Sequence, residues 1–186
     1  QPIEDTLEWA SGTAPPSGPQ QDDVRRLLLA EAADLTDFMD RFDEFGNQLR
    51  ALDSDFVITH GDSNLDNVIV SPDGGLHLID WGEVALGPRE RDLSSYADNR
   101  LDLVLPTYFE AAGSPPLHAE RFRIYQHRWC LQEIADYTTR IIFRPGEPSE
   151  DEHAWTELQP YLPLPRQELA VGHERTAALL ADLSSA

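Results

Sequence analysis

The residues His60-Gly61-Asp62-Ser63-Asn64-Leu65-Asp66-Asn67, followed by Ile79-Asp80-Trp81, decide how this chain folds. They form a polar loop set between short β-forming runs. Upstream, Asp55-Phe56-Val57-Ile58-Thr59 is brief, apolar and rich in β-branched side chains, which favours a strand. Downstream, Val68-Ile69-Val70 and Leu76-His77-Leu78-Ile79 flank Ser71-Pro72-Asp73-Gly74-Gly75, a turn signal between two short strands. Residues 67–80 therefore predict a β-hairpin entered from a polar loop. Asp80, at the far end of the second strand, then lies beside Asn67 at the hairpin base.

This residue set suits phosphoryl transfer. That chemistry needs a carboxylate to orient an acceptor hydroxyl and receive its proton, and hard oxygen ligands to hold Mg²⁺ against nucleotide phosphates. Asp62 offers the first; the amide oxygen of Asn67 and the carboxylate of Asp80 offer the second. The ordinary use of Asp-rich loops is to make Asx turns, and Asp66 and Asp73 read that way. His77 reads as a surface strand residue, and His118, His127, His153 and His173 lack metal-ligand spacing. The local His-Gly-Asp also suggests a metallophosphoesterase, but the downstream Gly-Asn-His element and the several histidine ligands of a dimetal site are missing.

In the protein-kinase pattern a catalytic Asp is followed five positions later by Asn, then by an Asp that opens the metal-binding turn. Asp62 and Asn67 keep that step of five, and Asp80 comes thirteen later. Gly61 stands where the kinase pattern has Arg, and Ile79-Asp80-Trp81 replaces Asp-Phe-Gly. With these replacements, and with Leu86-Gly87-Pro88-Arg89-Glu90-Arg91-Asp92-Leu93, the chain resembles the aminoglycoside phosphotransferase family of the kinase-like superfamily, especially its spectinomycin-type branch. The segment Trp129–Asp136 is compatible with it. The resemblance is sharp over residues 55–95 and collinear over roughly 20–183.

The resemblance implies roles for single residues. Asp62 is the catalytic base or hydroxyl-orienting group, and Asn67 and Asp80 are the Mg²⁺ ligands. His60 bonds to backbone near Asp80 and steadies the metal turn, residues 80–83. Asp92 accepts backbone N–H groups of the catalytic loop, residues 60–67; N-capping within 90–92 is the competing reading. Ile69 and Ile79 form the floor under the nucleotide base. Asn64 departs from the His of many relatives. The acceptor lies beside Asp62, with Trp81, Glu83, Asp98, Trp129, Glu133 and Asp136 as candidate contacts; packing under the turn competes for Trp81, and plain solvated acids compete for the carboxylates. The donor is ATP or GTP.

Working outward, residues 1–20 read as an irregular lead-in, with Pro and Gly concentrated in 11–20. Residues 21–186 read as one helical catalytic and substrate-binding lobe. Apolar residues recur in steps of three and four from Val24 to Leu52. Further helices are expected from about Glu90, at Leu103–Ala112 before Gly113, at Leu117–Phe143, and at Arg166–Leu183. Residues 144–165, with five prolines, predict an irregular crossing with at most a short helix near Trp155. The expected class is mainly α with a small β-hairpin, an α+β chain resembling the C-terminal lobe of a protein-kinase-like fold.

The 186 residues carry 34 acidic and 14 basic side chains, a net charge of −20. Such a surface repels phosphate backbones and anionic membranes and fits a cationic partner better, with a generally acidic surface as the leading explanation for most of the charge. All the basic residues are Arg, and Cys130, on a helix, reads as core. A single cysteine suits a reducing cytoplasm. Kinase-like enzymes take a Gly-rich loop and a phosphate-pairing Lys from an N-terminal β-rich lobe. No Lys and no such loop precede residue 55, so that lobe is expected to be absent: the chain is a fragment of a longer protein, a half whose partner lobe is a separate chain, or a degenerate relative. The start without Met favours the first. The functional expectation is the catalytic lobe of an O-phosphotransferase acting on a small cationic molecule of aminoglycoside or aminocyclitol type. The alternative is a non-catalytic binding module for a small molecule or partner.

Overall fold

In the computed structural model, which describes residues 2–50, 56–97 and 100–184, the chain runs α1 (Pro2–Ser11), α2 (Pro19–Arg50), β1 (Val57–Thr59), β2 (Val68–Val70), β3 (Leu76–Leu78), β4 (Ala85–Gly87), α3 (Glu90–Leu93), α4 (Leu101–Ala112), α5 (Ala119–Phe143), α6 (Pro148–Leu158) and α7 (Arg166–Ser184). Single 3₁₀ turns cover Leu65–Asn67, Trp81–Glu83 and Ser94–Tyr96. The class is mainly α with small antiparallel strand pairs. Among the described residues no helix is long and apolar enough to cross a membrane.

Where the sequence suggests one lobe over 21–186, the chain separates into two compact units: Gln1–Gly46 with His127–Arg166, and Asn47–Gln126 with Gln167–Ala186. Helical periodicity reports which face of a helix is buried but not against what, so this division was not readable from spacing.

In the first unit, α1 corrects the expectation of an irregular start. Ile3, Thr6 and Ala10 are buried, a stripe at steps of three and four, and Pro2 at the first helical position costs no hydrogen bond. The Pro- and Gly-rich stretch after Gly12 stays outside any helix, and α2 restarts at Pro19. Arg25 on α2 secures the connection: its guanidinium lies 4.2 Å from the Trp9 ring centroid and donates to the Ala14 carbonyl at 2.5 Å. Gln21, also on α2, donates to the carbonyls of Ile141 and Ile142 at 3.0 and 3.2 Å. These are among the last carbonyls of α5, which have no partner within their own helix.

The segment expected to be irregular apart from a short helix near Trp155 holds α6, an eleven-residue helix that includes Trp155. Its prolines sit where they do no harm: Pro148 is at the first helical position, and Pro160 falls beyond the last. Ala154 and Leu158 are its buried residues.

Cys130 is buried in the same unit, and burial, followed by the charge of Glu133, pushes its thiol up to about 12. At pH 8 roughly one thiol in 10⁴ is then ionised, and the thiolate is the reactive form. Ellman's reagent is therefore expected to leave Cys130 unmodified over an hour in the native chain and to titrate one thiol in denaturant. Rapid native modification would contradict this burial.

The second unit carries the polar loop. Its core gathers Leu93, Ala97, Leu101, Leu105, Phe122 and Leu180. Gly113 ends α4 at φ 76°, a left-handed C-terminal position that glycine adopts without penalty. Glu90 is almost wholly buried; it accepts the His118 N–H at 2.8 Å and faces Arg121 Nη1 at 3.8 Å, which ties α3 to the start of α5. Two antiparallel pairs frame the loop: Val57↔Gly87, Ile58↔Leu86 and Thr59↔Ala85 join β1 to β4, and Val68↔Leu78, Ile69↔His77 and Val70↔Leu76 join β2 to β3.

Candidate active site

The loop after β1 is held by backbone bonds to one carboxylate. Asp92 accepts the N–H of His60 at its Oδ2 (2.9 Å) and that of Gly61 at its Oδ1 (2.7 Å), while its own carbonyl accepts the Ser63 hydroxyl at 2.8 Å. Tyr96 donates to the Ser63 carbonyl at 2.6 Å. Burial, then the neighbouring Asp92 charge, raises the phenol above its ordinary range, so it remains a donor.

His60 joins the two halves of the site. Its buried ring meets the Ile79 carbonyl at Nε2 (2.8 Å) and accepts the Asp62 N–H at Nδ1 (3.3 Å). A carbonyl can only accept, so the proton belongs on Nε2 and the Nδ1 lone pair serves Asp62. The Ile79 N–H in turn donates to the Asn67 carbonyl at 2.9 Å, which seats Asp80 beside Asn67. Trp81 stands edge-on to His60 with centroids 4.7 Å apart, and its indole N–H donates to the Leu78 carbonyl at 2.9 Å.

Asp62 receives two side-chain donors. Asn64 Nδ2 reaches its Oδ1 at 2.6 Å, and Asn67 Nδ2 reaches its Oδ2 at 2.9 Å and its carbonyl at 2.8 Å. Asn64 also caps the 3₁₀ turn by accepting the Asp66 N–H. Because the Asn67 NH₂ is committed to Asp62, its Oδ1 is turned elsewhere and meets no protein donor among the described residues. Asp80 is exposed, sits at φ 60°, ψ 63°, and its carboxylate likewise has no protein partner there. A non-glycine residue in the left-handed region is uncommon and concentrates at functional turns.

Two unpartnered hard oxygens on neighbouring backbone, next to a carboxylate already supplied with donors, suit a divalent cation that takes its other ligands from phosphate and water. Among the described residues no group of three or more His, Cys, Asp or Glu gathers as an all-protein cage.

The remaining predicted residues divide. Ile69 and Ile79 are exposed on the hairpin and at its end. Glu83 shares the second unit with Asp62, and its carboxylate lies 3.8 Å from Arg91 Nη2. Trp129, Glu133 and Asp136 belong to the first unit, on α5, where Trp129 Nε1 donates to the Tyr161 hydroxyl at 3.3 Å. Asp98 lies outside the described residues. Asp73 accepts from the Ser71 hydroxyl and the Gly75 N–H, and these bonds, the Ser71 one foremost, lower its carboxyl below the usual range; it is a turn residue. Thr59, Arg91 and Tyr96 were not read as site residues, and neither was strand β4. Their contacts join positions about thirty apart in the chain, for which one sequence carries no periodic signal.

The mainly α architecture with its two small antiparallel strand pairs resembles a lobe of the kinase-like phosphotransferase fold. The chain belongs to the phosphotransferase enzyme family (APH), whose sequence pattern matches residues 2–137. It is 37% identical over 110 residues to Protein StrN of Streptomyces griseus, covering 59% of this chain and 30% of that one. Two crystal structures of spectinomycin phosphotransferase APH(9)-Ia share the fold. The complex with ADP and spectinomycin gives a TM-score of 0.70 at 16% identity, over 94% of this chain and 54% of the other. The AMP-bound complex gives 0.62 at 16% identity, over 85% and 50%. The chain thus spans about half the length of these structures and less than a third of StrN.

Proposed function

We propose that this chain is the catalytic and acceptor-binding lobe of an enzyme that transfers the γ-phosphoryl group of ATP or GTP to a hydroxyl of a small, cationic, aminoglycoside- or aminocyclitol-like molecule. The observation that carries the reading is the junction of Asp62, Asn67 and Asp80: one carboxylate supplied with donors beside two free hard oxygens. Asp62 orients the acceptor hydroxyl and takes its proton as the new O–P bond forms; the bond from phosphorus to the nucleotide's bridging oxygen breaks, and the diphosphate leaves. Asn67 and Asp80 would hold Mg²⁺, which supplies charge neutralisation at the phosphates. The Gly-rich loop and the Lys that complete such sites come, in this reading, from polypeptide outside these 186 residues. The net charge of −20 supports a cationic acceptor, as does the bound spectinomycin of the structural neighbour.

The test is a calorimetric titration of the chain with ATP, with Mg²⁺ or with chelator, beside Asp80→Ala. Saturable binding is expected that needs Mg²⁺ and weakens by on the order of 10²-fold or more without the Asp80 carboxylate, about the value of one strong charge-assisted contact. Binding that ignores both chelation and Asp80→Ala would instead identify a non-catalytic binding module.

A further inference from the structure

Arg91 has no place in the chemistry above, yet it is buried and its guanidinium hydrogen-bonds to residues at the edges of both proposed catalytic segments. Nη1 donates to the Thr59 hydroxyl at 2.6 Å, at the end of β1 where the catalytic loop begins. Nη2 donates to the Glu83 carbonyl at 2.8 Å, the last residue of the turn that Asp80 opens, with the Glu83 carboxylate 3.8 Å away as countercharge. The guanidinium also lies flat against Gly61. A Cβ built on Gly61 would stand 2.2–2.6 Å from Nη2, Cζ and Nη1, and Gly61 itself is at φ 92°. Any side chain at position 61 would therefore meet both strained backbone and the seat of the guanidinium. The Thr59 hydroxyl is satisfied in turn by donating to the Ala85 carbonyl at 2.9 Å.

We infer that Arg91 is a positioning residue that fixes the turn carrying Asp80 relative to the loop carrying Asp62, with Gly61 as its required seat. The inference rests on the phosphotransfer reading for its purpose, but its mechanical content is independent. The guanidinium reaches its two acceptors from two separate nitrogens in a rigid plane, whereas the three donors of a Lys ammonium radiate from one nitrogen on a flexible stem and do not reproduce that spacing. His60 and Arg91 then form two separate bridges between the same segments, one through the Ile79 carbonyl before Asp80 and one through the Glu83 carbonyl after it. The metal turn is pinned at both ends.

The deciding experiment compares amide hydrogen exchange in the 186-residue chain with Arg91 and with Arg91→Lys. Exchange is expected to accelerate at least tenfold in both segments 59–63 and 80–84, with α4 and α7 unchanged. In the same samples the Mg²⁺ midpoint for ATP binding is expected to rise several-fold. Thr59→Val, close in shape, removes both the acceptor of Arg91 Nη1 and the hydroxyl's own bond to the Ala85 carbonyl; it is expected to give a smaller acceleration in the same two segments, and it keeps the test open if Arg91→Lys does not fold. Acceleration in one segment alone, or an equal acceleration in α4, would overturn the inference. If the unaltered chain binds no Mg²⁺–ATP, the phosphotransfer reading of this lobe fails, and the exchange data still decide whether Arg91 couples loop and turn.

Discussion

On the proposed function, Asp62→Ala in this chain joined to a complementary phosphate-binding lobe is expected to lower kcat by on the order of 10²–10⁴-fold, the usual contribution of a positioned general base, while KM for the nucleotide stays within about threefold. The separation follows from the hydrogen bonds around Asn67. Its NH₂ group is held twice, by the Asp62 carboxylate at 2.9 Å and by the Asp62 backbone carbonyl at 2.8 Å. Truncation to Ala removes the first and leaves the second, so the amide oxygen keeps its direction. The loop also keeps its shape, because His60 and Gly61 are anchored by Asp92 and Ser63 by Tyr96, none of which involves the Asp62 side chain. What is lost, on the proposed function, is the group that orients the acceptor hydroxyl. Steady-state kinetics with varied nucleotide would check this: kcat unchanged within a factor of three would remove Asp62 from the chemistry. A matching rise in nucleotide KM would mean instead that its role is to hold Asn67.

The same contacts explain which parts of this molecule were legible beforehand. Asp62, Asn67 and Asp80 stand out because they match a known pattern and a hairpin separates the last two; the structure brings Asn67 to Asp62 and seats Asp80 beside Asn67, while their chemical roles belong to the proposal. Gly74, at φ 86° in the turn after Pro72-Asp73, is a trace that local turn geometry leaves in the sequence. Arg91 leaves none. Its partners, Thr59 and Glu83, lie on either side of the hairpin, and an Arg between Glu90 and Asp92 reads as one more charged surface position until the fold brings it inward.

The three consecutive charges 90–92 each secure a different segment: the start of α5, the turn 80–83 with β1, and the loop after β1. Sequence reasoning found the third through resemblance alone. Strand β4 was invisible for the same reason, since Ala85-Leu86-Gly87 has neither β-branching nor alternation and exists because β1 pairs with it. By contrast α1 was available and overlooked. Ile3, Thr6 and Ala10 already form a helical stripe, outweighed in the reading by the Pro- and Gly-rich stretch that follows. Five prolines in 144–165 limited the expectation to a short helix near Trp155; the position of each relative to a helix start, rather than their number, sets the extent of α6.

Asp92→Ala is expected to produce the largest loss of stability among the substitutions considered. Two backbone N–H groups, of His60 and Gly61, point at its two oxygens. Hydrogen bonds to a charged acceptor contribute about 1.5–3 kcal/mol each, and burying a donor without its partner costs a similar amount. The His60 amide belongs to a buried residue and has little access to water as a substitute. Part of the loss is recovered by relaxation of the loop, which retains the Ser63 hydroxyl bond to the Asp92 carbonyl and the Tyr96 bond to the Ser63 carbonyl, both independent of the carboxylate. The balance is roughly 3 kcal/mol, a fall in melting temperature of about 10 °C for a chain of this size. Asp92→Asn is expected to recover no more than half of that. Its amide oxygen can serve one N–H, but its NH₂ group then opposes the other, donor against donor. Thermal unfolding of the three proteins side by side gives the answer, and the order Asp, then Asn, then Ala is as informative as the size of the shift. A melting temperature for Asp92→Ala within about 2 °C of the unaltered chain would mean that solvent replaces the carboxylate, and that the loop after β1 is held from the His60 ring and the Arg91 guanidinium instead.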